Sequence, residues 1–271
     1  HVYRSELNTP EEAKKNIVDI RERAGQDVLI SADIEGGNIN HFGFDPEYLL
    51  AHNVPKEIIE LRKSENVFNE SLNKKVLRPI DLKAQVKHFV KGSRIKALPS
   101  QEWLGRNYQN ILDSISKNKA SKNETKLKIA LKSKQDFLEM MEKYGRAVAD
   151  ICEEIGINVV FGPNLDMVKN IDGDTTIEVQ DRSYGNNYVV ISDLSVSYLK
   201  GFGSNGKVLP VVKHFGNSFS ETDPHNETTQ SISTKKDGSI IPWRDIINAS
   251  SVEERKEKKE NLKSKYQQEL D

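Results

Sequence analysis

Two kinds of apolar spacing alternate along the chain. Thr9-Pro10-Glu11-Glu12 combines a capping hydroxyl, a proline at the first helical position and acids in the first turn. It predicts a helix to about residue 23, with Gly25 fitting its end. Residues 27–33 form an apolar run of strand length that ends in Asp33-Ile34-Glu35-Gly36-Gly37. From about residue 133 to 155, Phe137, Met140, Met141, Tyr144, Ala147, Val148 and Ile151 recur at helical spacing, and Gly156 marks the stop. Residues 157–163 predict a second buried strand, running out into Asn164-Leu165-Asp166. Residues 186–203 predict another helix, with Val190, Ile191, Leu194, Tyr198 and Leu199 as its stripe and Val189 and Val196 off it. Val208-Leu209-Pro210-Val211-Val212 predicts the third strand, which ends abruptly in Lys213-His214.

The segments between are more polar. Residues 46–50, 55–61 and 81–90 read as short helices with polar breaks. Residues 114–135 are lysine-rich and weakly periodic, as expected of a loop or an exposed helix. Residues 251–271 predict a charged helix with Glu254–Lys258 type pairs. Helix followed by strand, repeated with acids or bases at the strand ends, is the rhythm of an α/β fold, either a parallel barrel or a doubly wound sheet.

Composition narrows the class. Of 271 residues, 30 % are charged and 36 % apolar, enough for one large α/β domain or two small ones with a modest core. A net charge of −1 sets up no global field for nucleic acid or a membrane surface. No apolar run approaches the length of a membrane span. Cys152, the one cysteine, sits in a helical pattern that suits a small buried residue. The first residues do not read as a signal peptide, so a cytoplasmic location is the expectation and export stays open. Between residues 61 and 97 ten Lys or Arg face three Asp or Glu, a basic stretch that reads as a solvated insertion or a contact for an anionic partner.

Four groups project from the predicted strand ends or their loops. They are Asp33 with Glu35, then Asp166, then Asp181 with Arg182, and finally Lys213-His214 with Asp223 and His225. In a parallel barrel all such ends lie on one face. Carboxylates there accept hydroxyls and Lys or Arg donate to oxygens, an arrangement that serves a polar substrate such as a sugar. Asp33, Glu35, His214, Asp223 and His225 are also competent metal ligands, but none has a helix-borne HxxxH spacing, so neither a metal nor a cofactor is expected.

Five ordered motifs resemble glycoside hydrolase family 3. ISADIEGGNINHF (30–42) is similar to its DxEGGxxxRF strand and loop, and ALPSQEWLG (97–105) to its LPS element. GINVVFGPNLDM (156–167) resembles GINxxFAPxLDV, Gln180 to Gly185 resembles DRSFG, and VLPVVKHF (208–215) resembles the KHF strand. Asp223-Pro224-His225 stands where the β-N-acetylhexosaminidase branch has a DSH loop. That branch acts on N-acetylglucosamine-containing sugars such as peptidoglycan fragments.

The resemblance implies a TIM-type (β/α) barrel over residues 1–250, incomplete in this chain, with helical insertions at about 44–89 and 115–132 and a charged tail at 251–271. It also implies that Asp33, Arg182, Lys213 and His214 grip the sugar. His225, oriented by Asp223, would be the general acid/base of a retaining glycosidase. A histidine suits that work near neutral pH. KHFPGHG stands here as Lys213 to Phe219 without its Pro and second His, and Pro224 stiffens the loop. The family nucleophile is an Asp at a later strand end. After His225 no apolar run ends in Asp, and Asp245 falls where the family has a helix. Two rival readings follow: a catalytically inactive sugar-binding protein on the same fold, and an interaction protein using the basic stretch 61–97. The expected partner is a carbohydrate, with no nucleic acid and no membrane span.

Overall fold

The computed structural model describes residues 9–25, 28–37, 39–40, 44–75, 98–168, 181–214, 233–234 and 240–241. Helix α1 (Pro10–Ala24) starts as its sequence predicts. Thr9 Oγ1 accepts from the Glu12 N–H at 3.2 Å, and the Gly25 N–H closes on Arg21 O. Ala13 and Ile17 bury its inner face.

Arg21 then sets where the sheet begins. Its guanidinium donates to Val28 O, Gly156 O and Asn158 Oδ1, so the entries to the first and third strands are tied to one side chain. Asn158 Oδ1 also accepts from the Ile30 N–H at 3.1 Å. The strand expected at 27–33 therefore enters its ladder late, as β1 (Ser31–Gly36), and Leu29 is left 73 % exposed.

The sheet has the order β2-β1-β3-β4. β3 (Val159–Asn164) pairs parallel with β1, with Asp33 opposite Phe161. β4 (Leu209–Lys213) pairs parallel with β3, and the register shifts between Phe161 and Asn164 so that Asn164 lies opposite Lys213. β2 (Ile39–Asn40) turns back antiparallel along the end of β1. β5 (Ser233–Thr234) and β6 (Ile240–Ile241) form a separate antiparallel pair. The parallel strands carry helices in their crossovers, which brings all three C-terminal ends to one side. Among the described residues the sheet is open: three parallel strands with their helices are seen, an α/β arrangement consistent with the expected barrel but not closed into one.

The helices in chain order are α2 (Pro46–Ala51), α3 (Lys56–Lys75), α4 (Gln101–Ala120), α5 (Glu124–Ile155) and α6 (Tyr188–Gly203). α3 continues well past the helix expected at 55–61, and its Glu65 is buried, paired with Arg62 and accepting from the Ser100 N–H at 3.1 Å. α5 supplies much of the core, including Met141, Val148, Ile151 and Cys152, all fully covered. It meets α6 at backbone distance: a Cβ on Gly201 would lie 1.7 Å from Glu142 O, and one on Gly145 2.0 Å from Tyr198 O.

The lysine-rich stretch expected as a loop or exposed helix is an αα-hairpin. α4 ends at Ala120, and Asn123 caps α5 by accepting from the Lys126 N–H. α5 therefore starts nine residues before the helix its apolar spacing predicts, because a sustained apolar stripe begins only where the helix reaches the core, while Ile129 and Leu131 before it are exposed. The expected helix at 81–90, most of the basic stretch 61–97 and the tail 251–271 lie outside the described residues.

Candidate active site

The site is built at the C-terminal ends of β1, β3 and β4. Side chains alternate along a strand, so Asp33 and Glu35 in β1 share a face. Lys213, at the end of β4, reaches across to both. Its Nζ lies 2.5 Å from Asp33 Oδ1 and 2.6 Å from Glu35 Oε1. Arg182 grips the same Glu35 with two donors, Nε to Oε2 at 2.9 Å and Nη2 to Oε1 at 2.8 Å. Glu35 is almost wholly enclosed, its side chain 1 % exposed, and two cations compensate its burial. Burial works against the Arg182 charge, but the Glu35 bond together with the charges of Glu35, Asp166 and Asp33 outweighs it and holds the guanidinium pKa above its ordinary value.

His214 follows Lys213 and turns to β3. Its Nδ1 lies 2.5 Å from Oδ2 of Asp166, whose side chain is 1 % exposed. Asp166 is held in turn by its own backbone. Its N–H donates to Asn164 Oδ1 at 2.8 Å, and its carbonyl accepts from Ser183 Oγ at 2.6 Å. The β3 end is locked from outside by Gln101, whose amide donates to Asn164 O and accepts from the Asn164 N–H, both at 2.8 Å. Leu165 N donates to Lys213 O at 2.6 Å, so the ends of β3 and β4 stay joined past the register shift.

Glycines let the supporting loops come close. A Cβ on Gly36 would lie 2.1 Å from Pro99 O, and Gly36 has φ +86°, so both space and conformation require glycine there. Ser100 packs on Gly37 and caps α4 by accepting from the Trp103 N–H at 3.0 Å.

Of the residues expected to hold sugar, Asp33, Arg182, Lys213 and His214 all reach this face, joined by Glu35 and Asp166. Asp181 does not join them. It sits in the left-handed region at φ +57° and turns to Glu102 in the first turn of α4. Burial, and then the Asp181 charge, push the Glu102 carboxyl up to about 7, with Arg106 opposing. Burial also raises Asp181. Gln101, Glu102 and Ser183 escaped the sequence reading; the Ser-x-x-x spacing after Pro99 was the available sign of a helix start. Asp223 and His225 lie outside the described residues. Among the described residues no three His, Cys, Asp or Glu side chains are placed to hold a metal ion, and no helix is long and apolar enough to cross a membrane.

Parallel strands that present paired carboxylates, cations and an oriented imidazole at their C-terminal ends define an α/β domain of the kind that builds polar-substrate sites. Residues 121–253 match the model of the Glycosyl hydrolase family 3 N terminal domain, a span that holds the motifs at 156–167, 180–185 and 208–215 and bears out their family resemblance. The fold is similar to that of NagZ from Neisseria gonorrhoeae in two crystal structures. One is a complex with N-trifluoroacetyl-D-glucosamine, at TM-score 0.51 and 16 % identity over 86 % of this chain and 47 % of that one. The other is the native protein, at TM-score 0.51 and 17 % identity over 90 % of this chain and 50 % of that one. This chain thus spans half or less of the length of those structures. Comparison with curated proteins gives no match.

Proposed function

We propose that this domain is the sugar-holding part of a retaining glycosidase that acts on N-acetylglucosamine-containing glycans such as peptidoglycan fragments. The observation that carries the reading is the network Asp33–Lys213–Glu35–Arg182 at the strand ends. Its charges are balanced internally, so it suits a neutral polyol better than a free anion. An ammonium has three donors, and Asp33 and Glu35 take two of those on Lys213. The third direction serves a sugar oxygen, and Asp33 accepts a hydroxyl beside it.

In this reading His214 is a second holding group, kept in place by Asp166. His225, oriented by Asp223, first protonates the leaving oxygen and then activates water against a glycosyl-enzyme intermediate. The test is release of nitrophenol from an aryl N-acetyl-β-glucosaminide by the intact gene product and by its His225→Ala variant. The variant should lose roughly 10²–10⁴ in rate. Equal rates in both proteins, or none in either, would sink the catalytic role. Calorimetry with N-acetylglucosamine then separates a binder without turnover from a protein that takes no sugar at all.

A further inference from the structure

The hairpin of α4 and α5 leaves the body of the protein. Between Gln109 and Glu139 Ala130 alone is buried. Its base is fastened by Tyr108, whose hydroxyl donates to Asp193 Oδ2 at 2.5 Å, and by Lys134, whose Nζ lies 2.9 Å from the same carboxylate. Its direction follows from Tyr144. The Tyr144 hydroxyl lies 3.9 Å from where a Cβ on Gly36 would stand, so it is level with the C-terminal end of β1. α5 runs from there toward the start of β3, so its N-terminal part points away from the strand ends, and beyond Lys134 the stretch from Glu124 to Ser133 is about 15 Å of helix at about 1.5 Å per residue. The arm rises from the rim that carries the candidate active site.

Its charge is one-sided. Residues 114–135 hold seven lysines and one acid, Glu124, in a chain whose net charge is −1. Lys134 is engaged with Asp193, and Lys132 pairs with Asp136. Lys117, Lys119, Lys122, Lys126 and Lys128 are exposed and make no ion pair among the described residues. Leu131 stands 49 % exposed one turn along the helix from Lys128, and Ile129 is 63 % exposed. Residues 109–136 contain no arginine and no aromatic residue. Nucleic-acid surfaces rely on arginine forks and on aromatic rings for stacking. Lysine point charges around an exposed leucine match a diffuse anionic surface with an apolar layer beneath it.

We infer that the tip of this hairpin docks the protein on an anionic lipid surface, turning the strand-end rim toward it. The five lysines lie over the headgroups, and Leu131 inserts between them. The attraction is screened by salt, since the Debye length shrinks from about 10 Å at 0.1 M to about 3 Å at 1 M.

The experiment is sedimentation of the protein with vesicles of phosphatidylcholine alone and of phosphatidylcholine mixed with phosphatidylglycerol. Binding to the mixed vesicles only, weakening as salt rises, is expected. Replacing Lys117, Lys119, Lys122, Lys126 and Lys128 by Gln should reduce that binding at least about tenfold with an unchanged circular dichroism spectrum. A Leu131→Ser variant should show a smaller loss at equal charge. Should the fivefold variant not fold, Lys119→Gln with Lys122→Gln at the very tip gives the same reading with less change. Equal binding to both vesicle types, binding to neither, or undiminished binding by the Gln variants overturns the proposal. So does capture by polyphosphate or single-stranded DNA without capture by vesicles, which would make the arm a polymer-binding one.

Discussion

Asp166 Oδ2 and His214 Nδ1 meet at 2.5 Å across two strand ends, one buried and one open to solvent. The contact decides which ring nitrogen faces outward. With Nδ1 committed to a carboxylate, Nε2 is the atom left for a ligand, and the imidazole cannot turn without breaking a charge-assisted bond. An Asp166→Asn substitution keeps the backbone bonds of residue 166 to Asn164 and Ser183 and removes only the charge. A hydrogen bond to a charged group is worth about 1.5–3 kcal/mol, so the melting temperature should fall, and the ring left free to turn should weaken sugar binding by about tenfold at a temperature where the variant is folded. Calorimetry with N-acetylglucosamine beside a thermal melt checks both halves, and an unchanged affinity would remove His214 from the binding group.

Glu35 carries a different load. Its carboxylate is the shared partner of Arg182 and Lys213 and is itself enclosed. Glu35→Gln leaves Arg182 and Lys213 facing one carboxylate, Asp33, in a largely enclosed site. Breaking such a pair costs about 3–5 kcal/mol, readable as a shift in the urea midpoint. Combining Glu35→Gln with Arg182→Ala should cost less than the sum of the two single changes. Strict additivity would mean the two side chains do not share their energy.

Much of the parallel sheet was legible in the sequence because its strands read as continuous apolar runs, even in β4, where Leu209 and Val212 are exposed. Val159 and Val160 illustrate this, and so do the acids and bases that stop those runs at Asp33, Asp166 and Lys213. The family motifs marked the same ends. What periodicity could not show was a helix that leaves the core. The outer half of α5 has no buried stripe to keep, so residues 114–135 are only weakly periodic although they are helical throughout apart from the turn. α4 was missed for a related reason: its buried positions, Leu104, Gly105 and Tyr108, include a glycine that serves close packing and weakens the helical signal. Pairing was the other hidden layer. Nothing in the spacing of Asp181 and Arg182 tells that adjacent side chains turn to opposite partners, Glu102 for one and Glu35 for the other.

Gly105 is the place to disturb that loop without touching a charge. A Cβ there would stand 1.8 Å from Tyr184 O, against backbone that cannot yield as a flexible side chain would. Gly105→Ala must push residues 182–184 away from α4, and Arg182 moves with them. Overpacking of this kind costs about 1–3 kcal/mol. Sugar binding should weaken more than the melting temperature alone implies. If Gly105→Ala binds sugar normally at a temperature where it is folded, Arg182 does not depend on this contact.

The Glu102–Asp181 pair makes stability depend on pH with a definite sign. The groups facing it are Glu65 and Arg62 from α3, Arg106 from α4 and the two carboxyls themselves. Burial first, and then the neighbouring Asp181 charge, raise the Glu102 pKa from 4.5 to about 7 in the folded protein. The folded state therefore holds a proton that the unfolded state releases between these values, so stability is full below about pH 4.5 and falls as pH rises through about 7. Asp181 is raised as well and acts in the same direction. Allowing for solvent screening, the Glu102 share is about 1–2 kcal/mol. Glu102→Gln removes that titration, and urea unfolding at pH 5 and pH 8 should show the wild type losing stability that the variant keeps. Because the Glu102 N–H donates to Asp181 O at 3.3 Å, the same ionisation strains the turn that carries Arg182. Sugar affinity should then weaken over the same pH range in the wild type and stay level in Glu102→Gln. A variant with the wild-type slope in both measurements would place the titrating group elsewhere.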